Sequence, residues 1–133
     1  MVKTKENKNH FGKYQKHVLA NGLTVILAPM DTRSVTGLVL VGAGSRYETK
    51  PTNGISHFLE HMFFKGTKKR PTALDVATEI DSLGGVNNAF TSKEYTGYYI
   101  KAGSNHIESV LEIISDMLYH SNFKKEEFEK ERN

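Results

Sequence analysis

Short strand-like runs and helix-like stripes alternate along the chain. Apolar and β-branched residues recur in five short runs, and Asn21 and Gly22 separate the first two. Asn-Gly is the strongest short signal of a hairpin turn, so these two runs are predicted to pair. Lys93 and Glu94 separate the last two runs, which predicts a second hairpin. The runs lie at 14–19, 23–27, 34–41, 88–92 and 95–101.

Helical spacing of apolar residues marks the segments between and after these runs. The first helix is predicted at about 55–65, with Thr52 or Asn53 as its N-cap and Gly66 just beyond its end. Because strands and helices are interspersed and joined by hairpins, we expect an α+β fold with an antiparallel-rich sheet and helices packed on it. Further helices are predicted to begin near Thr72, Asn105 and Phe123.

Length and composition indicate an ordinary folded domain. The 133 residues suffice for one domain, and 38% hydrophobic with 25% charged residues is typical of a globular chain. The absence of cysteine excludes disulfides and thiolate metal ligands within it. Residues 1–13 are polar and basic without the apolar core of a signal peptide, which predicts a flexible leader and favours a cytoplasmic location. No apolar run approaches the roughly 20 residues of a membrane span, so no membrane partner is expected.

The densest positive charge lies at 65–70, in the sequence KGTKKR. Such a run could contact phosphates, but it lacks the interleaved aromatic residues that stack nucleic-acid bases. We therefore expect a solvated loop after the first helix and no nucleic-acid partner.

Residues 57–61, HFLEH, place two histidines and a glutamate in an otherwise apolar helix. On a wheel at about 100° per residue, His57, Glu60, His61 and Phe64 fall in one narrow sector. The other apolar residues fall on the opposite side, which predicts that the helix buries them and presents the two histidines and the glutamate, the trio, together. These apolar residues are Ile55, Phe58, Leu59, Met62 and Phe63.

The spacing of the trio suits a catalytic metal. Histidines four residues apart stand one helical turn apart, so both rings can bind one zinc ion. A catalytic zinc keeps a position for water, whose pKa falls to about 7. Glu60 is placed to take a proton from that water as the general base and to pass it to a leaving amine. The alternative is a pair of buried histidines satisfied by backbone carbonyls.

These residues also resemble the signature of a known family. HFLEH is the inverted zinc motif, and residues 53–67, NGISHFLEHMFFKGT, resemble the signature of the pitrilysin/insulinase zinc metallopeptidases, family M16. The bacterial processing-protease-like members are the most similar. The resemblance covers nearly the whole chain from about Tyr14, in the order of the family. Further matching segments lie at 21–25, 83–92 and 129–132.

The resemblance implies a metallohydrolase-like half-domain at 14–133. It implies that a peptide substrate binds in extended form beside an edge strand, and that Glu131 supports the zinc ligands without binding the ion. The third zinc ligand of the family is a glutamate about two helical turns beyond Glu131. We therefore expect an N-terminal fragment truncated before that ligand, with a second homologous domain or subunit closing the active site. The edge-strand residues are Asn88, Ala89, Phe90 and Thr91.

The expected function is that of a zinc-dependent endopeptidase that hydrolyses peptides or presequence-like segments, with the fragment inactive alone. A non-catalytic M16-like subunit or assembly partner is the alternative, since the family includes members without peptidase activity. The intact trio disfavours it. S-ribosylhomocysteine lyase shares the His-x-x-Glu-His spacing but uses a cysteine as its third ligand, and this chain has none.

Overall fold

The computed structural model describes the backbone of residues 3–9 and 12–132, and the side chains of residues 13–132. The chain divides into two units, Met1–Thr32 and Arg33–Asn133. The division falls after the first predicted hairpin rather than after residue 13, because that hairpin pairs with the strand preceding it instead of with the later sheet.

The first unit is a three-stranded antiparallel sheet in the order β1-β2-β3. Its strands are β1 (Lys3–Asn9), β2 (Gly12–Val18) and β3 (Thr24–Leu27). The leader predicted at 1–13 contains β1, since residues 3–9 pair along their whole length with β2. The polar sequence KTKENKN has no apolar alternation that would predict this strand.

The predicted turn between β2 and β3 is confirmed. Gly22 has φ 87°, a left-handed conformation that glycine adopts without steric cost. Its N–H donates to the carbonyl of Leu19 at 2.9 Å, and the Asn21 side chain accepts from the N–H of Leu23 at 3.1 Å. The turn thereby sets the register that pairs Val18 with Thr24.

The second unit is an antiparallel sheet with helices packed on it, which confirms the predicted fold class. The strand order is β4-β6-β5, so β5 is an edge of the described sheet. In the part of the chain that the structure describes, no helix is long and apolar enough to cross a membrane. The elements are β4 (Ser34–Val41), α1 (Ile55–Met62), α2 (Ala73–Ser82), β5 (Val86–Thr91), β6 (Thr96–Gly103), α3 (Ile107–Tyr119) and α4 (Lys125–Arg132).

The core of this unit lies between the sheet and helices α2 and α3. Gly37 on β4 allows the close approach of α3, since a Cβ at that position would meet Val110 Cγ1 at 2.7 Å. Burying such aliphatic side chains contributes roughly 1.5–3 kcal/mol each, so this layer stabilises the sheet on which α1 packs. The buried cluster comprises Val76, Ile80, Ile100, Ala102, Val110, Ile113, Ile114 and Met117.

The N-terminus of α1 is capped by the side chain of Glu48, which sequence analysis did not predict. The N-cap is Gly54, with φ 88°, and not Thr52 or Asn53. The Glu48 carboxylate accepts from the N–H groups of Gly54 at 2.7 Å and Ser56 at 2.9 Å. These main-chain hydrogen bonds hold the pKa of Glu48 below its ordinary value. A carboxylate at a helix N-terminus also interacts favourably with the helix dipole.

The basic run at 65–70 is not a wholly solvated loop. The Arg70 side chain is 2% exposed and contacts carboxylates on α2 and α3. The prediction failed here because a buried arginine is stable only with partners from distant elements, which local composition does not show.

Candidate active site

Helix α1 presents the trio as its periodicity predicts. Met62 is fully buried, whereas His57 and His61 are exposed and Glu60 is half-buried. Ile55 departs from the predicted apolar face, since it is 46% exposed in the first turn. The trio therefore lies on an accessible face of a helix whose other face is anchored.

The two histidine rings converge on each other. Nε2 of His57 and Nε2 of His61 are 3.1 Å apart, with ring centroids separated by 4.5 Å and ring planes at 81°. Two nitrogens on one zinc ion at about 2.0–2.1 Å stand about 3.3 Å apart in tetrahedral geometry. The observed separation is therefore close to what two ligands of one ion require.

Glu131 on α4 fixes the orientation of His61. Its carboxylate hydrogen-bonds Nδ1 of His61 and forms an ion pair with Nζ of Lys65 at 2.7 Å. The hydrogen bond from Lys65, and secondarily the one from His61, hold the pKa of Glu131 below its ordinary value. Because an ionised carboxylate only accepts hydrogen bonds, Nδ1 of His61 donates to Glu131, and Nε2 is the ring nitrogen that faces His57.

Aromatic contacts bring α4 to α1. Phe58 and Phe128 meet in a T-shaped contact with centroids 4.8 Å apart. His61 and Glu131 each lie three residues further along the same two helices, so the aromatic contact places the carboxylate beside the imidazole. The turn before α4 holds Phe123 at φ 41°, a strained conformation for an aromatic residue, and its ring packs on Phe63.

The residues present fit a zinc ion in part. His57 and His61 could hold a metal ion through their Nε2 atoms, and a carboxylate in contact with the other ring nitrogen, as Glu131 is with His61, is usual for metal-bound histidines. Among residues 13–132, no group of three or more histidines, aspartates or glutamates could hold a metal ion. The described site thus offers two ligands of the three that a catalytic zinc typically takes.

Glu60 is held by the edge strand. The hydroxyl of Thr91, at the end of β5, donates a hydrogen bond to Oε2 of Glu60. Burial raises the pKa of Tyr98 to about 12, and the negative charge of Glu60 adds to this effect. Tyr98 therefore stays protonated near neutral pH.

A cleft of about 330 Å³ opens between α1 and β5, and of the trio Glu60 and His61 line it. Asn88 and Ala89 line it, as does Asn87, which the sequence analysis did not single out. Phe90 lies on the other face of the sheet, where its ring covers Gly97. The full lining is Glu60, His61, Phe64, Lys65, Ala73, Asn87, Asn88 and Ala89.

The free edge of β5 offers main-chain groups beside this cleft. Ser92 N–H donates to the Tyr95 carbonyl, and antiparallel pairs alternate between bonded and non-bonded. The N–H and C=O groups of Asn87, Ala89 and Thr91 consequently face away from β6. The Ala89 N–H is covered by its neighbour, since Asn88 Oδ1 accepts from it at 2.9 Å.

Comparison with known proteins connects this site to a family. Residues 24–133 match the sequence profile of the family described as Insulinase (Peptidase family M16). The uncharacterized zinc protease YmxG of Bacillus subtilis is 48% identical over 120 residues, which are 90% of this chain and 29% of that protein. Mitochondrial-processing peptidase subunit beta of Dictyostelium discoideum is 44% identical over 115 residues, 86% of this chain and 24% of that protein.

A solved structure gives the same answer for the fold. The crystal structure of a protease from Helicobacter pylori matches 99% of this chain and 30% of its own, with a TM-score of 0.82 and 32% identity. The chain therefore spans less than a third of the length of each of these relatives. The family profile covers well over half of the chain, from β3 through the trio to α4, which confirms the resemblance. This chain belongs to the insulinase family of peptidases, family M16.

Proposed function

We propose that these residues belong to a zinc-dependent endopeptidase that hydrolyses peptides or presequence-like segments. His57 and His61 hold the metal, Glu60 is the general base, and Glu131 supports His61. A third ligand and a second homologous domain or subunit come from the remainder of the protein, and the 133 residues alone are inactive or nearly so. Bound zinc would supply Lewis-acid polarisation of a water molecule.

The free edge of β5 binds the substrate in extended form in this proposal. Ala89 is small and leaves room for a second chain, and the outward main-chain groups provide the hydrogen bonds of β-augmentation. Asn88 must release the Ala89 N–H when the peptide pairs with it. The cleft between β5 and α1 brings the peptide alongside Glu60.

Glu60 then moves the proton. Oε2 is engaged by Thr91, and among the described residues no hydrogen bond to Oε1 is found, so Oε1 is the oxygen that takes up the proton from water. The same carboxyl passes the proton to the leaving amine. The observation that carries the proposal is the convergence of the two Nε2 atoms at 3.1 Å, with the Nδ1 of His61 fixed by Glu131.

The test is Glu60→Gln in the complete protein, assayed for peptide cleavage and zinc content. We expect unchanged zinc content and a loss of cleavage of at least roughly a hundredfold, because general base catalysis typically contributes 10²–10⁴. A Glu60→Gln protein that cleaves as fast as the wild type would contradict the assignment of the base.

A non-catalytic subunit is the competing outcome of the same assay. One relative is named as the beta subunit of a processing peptidase, so assembly with other chains belongs to the family. If the complete wild-type protein binds zinc but cleaves no peptide, alone or with its assembly partner, the subunit role is supported instead.

A further inference from the structure

Thr91 does more than lie on the proposed substrate strand. Its side chain lies on the face of the sheet that carries α1, where its hydroxyl donates to Oε2 of Glu60. The two residues are 31 positions apart in sequence, and both are half-buried. The contact therefore joins the strand proposed to bind peptide with the side chain proposed to move the proton.

The hydrogen bond has a defined direction. A hydroxyl can donate or accept, but an ionised carboxylate can only accept, so Thr91 is the donor. Among the described residues Thr91 is the one hydrogen-bond donor found for Glu60, since the neighbouring Lys65 pairs with Glu131 instead. Loss of the Thr91 hydroxyl would leave the Glu60 side chain without that anchor.

The two partners differ in rigidity. Threonine is β-branched and stiff at χ1, and Thr91 is fixed further by its pairing with the buried Thr96. Glutamate has several rotatable bonds, and ordering such a side chain costs about 1.5–2 kcal/mol of conformational entropy. A rigid donor that selects one rotamer of a flexible base removes that ordering cost from the reaction step.

We propose that Thr91 is a positioning residue for the general base, and that it acts on the turnover step rather than on substrate affinity. The inference rests on the proposed function, since it assumes that Glu60 is the base. It differs from the substrate-binding role that the family resemblance implies for Thr91, because the side chain contacts Glu60 while only the main chain faces the free edge.

The test compares Thr91→Val, Thr91→Ser and Ser92→Ala in the complete zinc-loaded protein. Valine keeps the shape and β-branching of threonine but lacks the hydroxyl, and serine restores the hydroxyl. Ser92→Ala is the matched control, because it removes a hydroxyl that bonds Tyr95 at the same hairpin and not Glu60. Steady-state kinetics, zinc content and peptide affinity at equilibrium are measured for each.

We expect Thr91→Val to lower kcat roughly 10- to 100-fold, in keeping with the loss of a hydrogen bond to a charged group. KM, peptide affinity and zinc content should stay within about twofold of wild type. Thr91→Ser should recover kcat to within about threefold, and Ser92→Ala should leave it unchanged. If Thr91→Val does not fold, Thr91→Ala is measured in the same way.

Several results would overturn the inference. An unchanged kcat with a raised KM would make Thr91 a substrate-binding residue only, and a Thr91→Ser protein as slow as Thr91→Val would show that the hydroxyl is irrelevant. Both leave the endopeptidase assignment intact, because the wild type still cleaves. A wild type that cleaves nothing overturns the proposed function and this inference together.

Discussion

Two charged clusters in the second unit use similar residues in opposite ways. The Arg70 cluster consists of Arg70, Glu79, Glu112 and Asp116. The histidine cluster consists of His57, Glu60, His61 and Glu131. Both join helices that are distant in sequence, and both contain hydrogen-bonded carboxylates. They differ in how completely their polar atoms are satisfied.

The Arg70 cluster is closed, in the sense that its guanidinium is buried and each of its nitrogens has a carboxylate partner. Arg70 donates from Nε and Nη2 to Glu79 at 2.7 Å each and from Nη1 to Asp116 at 2.7 Å, and it also contacts Glu112. Asp116 accepts a further hydrogen bond from Thr67 at 2.5 Å. These hydrogen bonds tie the loop after α1 to α2 and α3. A buried guanidinium with this many carboxylate partners stabilises the packing of these segments.

The histidine cluster is open. The His61 side chain remains 43% exposed although Glu131 holds it. The two Nε2 atoms contact each other at 3.1 Å, and among the described residues no hydrogen bond to Oε1 of Glu60 is found. The comparison teaches that a buried arginine with several carboxylate partners serves the fold, whereas an exposed pair of oriented imidazoles is accessible to the proposed metal.

The largest expected effect is the loss of stability on removing Arg70 from the Arg70 cluster. Arg70→Met should destabilise the second unit by about 3–5 kcal/mol, because it removes the guanidinium that pairs with the buried Asp116 carboxylate. Of the described residues, only Thr67 and the exposed His120 then remain as partners of that carboxylate. Lys69→Met is the matched control, since Lys69 also pairs with Glu112 but at the surface, where ion pairs contribute little. Native-state hydrogen exchange of α3 amides in the complete protein measures both. Equal protection in the two variants would contradict the assigned role of Arg70.

A smaller effect is expected on the zinc affinity of the histidine cluster when Glu131 is changed. Glu131→Gln should weaken zinc binding by the complete protein roughly 10- to 100-fold, as is typical when the partner of a metal-bound histidine is changed. Glu127→Gln, on the same helix, removes only a surface pair with Lys130 and should leave zinc affinity unchanged. Competitive titration with a chelator measures the affinities. Identical zinc affinities in the two variants would contradict the assignment of Glu131 as the support of His61.

The smallest effect is the response of the closed cluster to acid. Burial alone raises the pKa of Asp116, but hydrogen bonds from Thr67 and Arg70 outweigh it, so the net pKa lies below the ordinary 3.8. A lowered folded-state pKa contributes stability that is present above the unfolded pKa and is lost as pH falls through the folded pKa. The protection of α3 amides should therefore decrease below about pH 4.

The same reasoning predicts how Arg70→Met responds to acid. Without Arg70, only Thr67 and His120 still oppose the effect of burial on Asp116. We therefore expect a higher pKa of Asp116 in the variant, so that acid destabilises the variant less than the wild type. The stability difference between the two proteins should consequently narrow as pH falls through about 4. A difference that widens in acid would show that Asp116 is not the group left uncompensated.

Sequence periodicity was sufficient for features that depend on neighbouring residues. The trio on α1 follows from the spacing of 57–61, and the turn at Gly22 follows from Asn-Gly. The sheet and helices of the second unit follow from alternation and apolar stripes. These features need only the geometry of one helix or one hairpin, which a short segment carries by itself.

Features that depend on packing between distant segments could not be predicted from sequence periodicity. The burial of Arg70 requires carboxylates from two other helices, and the capping of α1 by Glu48 requires a loop to fold back. Glu131 was expected from family resemblance alone, since its position depends on Phe128 meeting Phe58. Strand β1 has no apolar alternation and is defined by main-chain pairing.

The most direct test of the central claim is an anomalous-scattering map of the complete protein crystallised with zinc. We predict one zinc peak at about 2.0–2.1 Å from Nε2 of both His57 and His61, with Glu131 still bonded to Nδ1 of His61. A peak elsewhere, or a zinc-saturated crystal in which the two Nε2 atoms still face each other with no ion between them, would contradict the account.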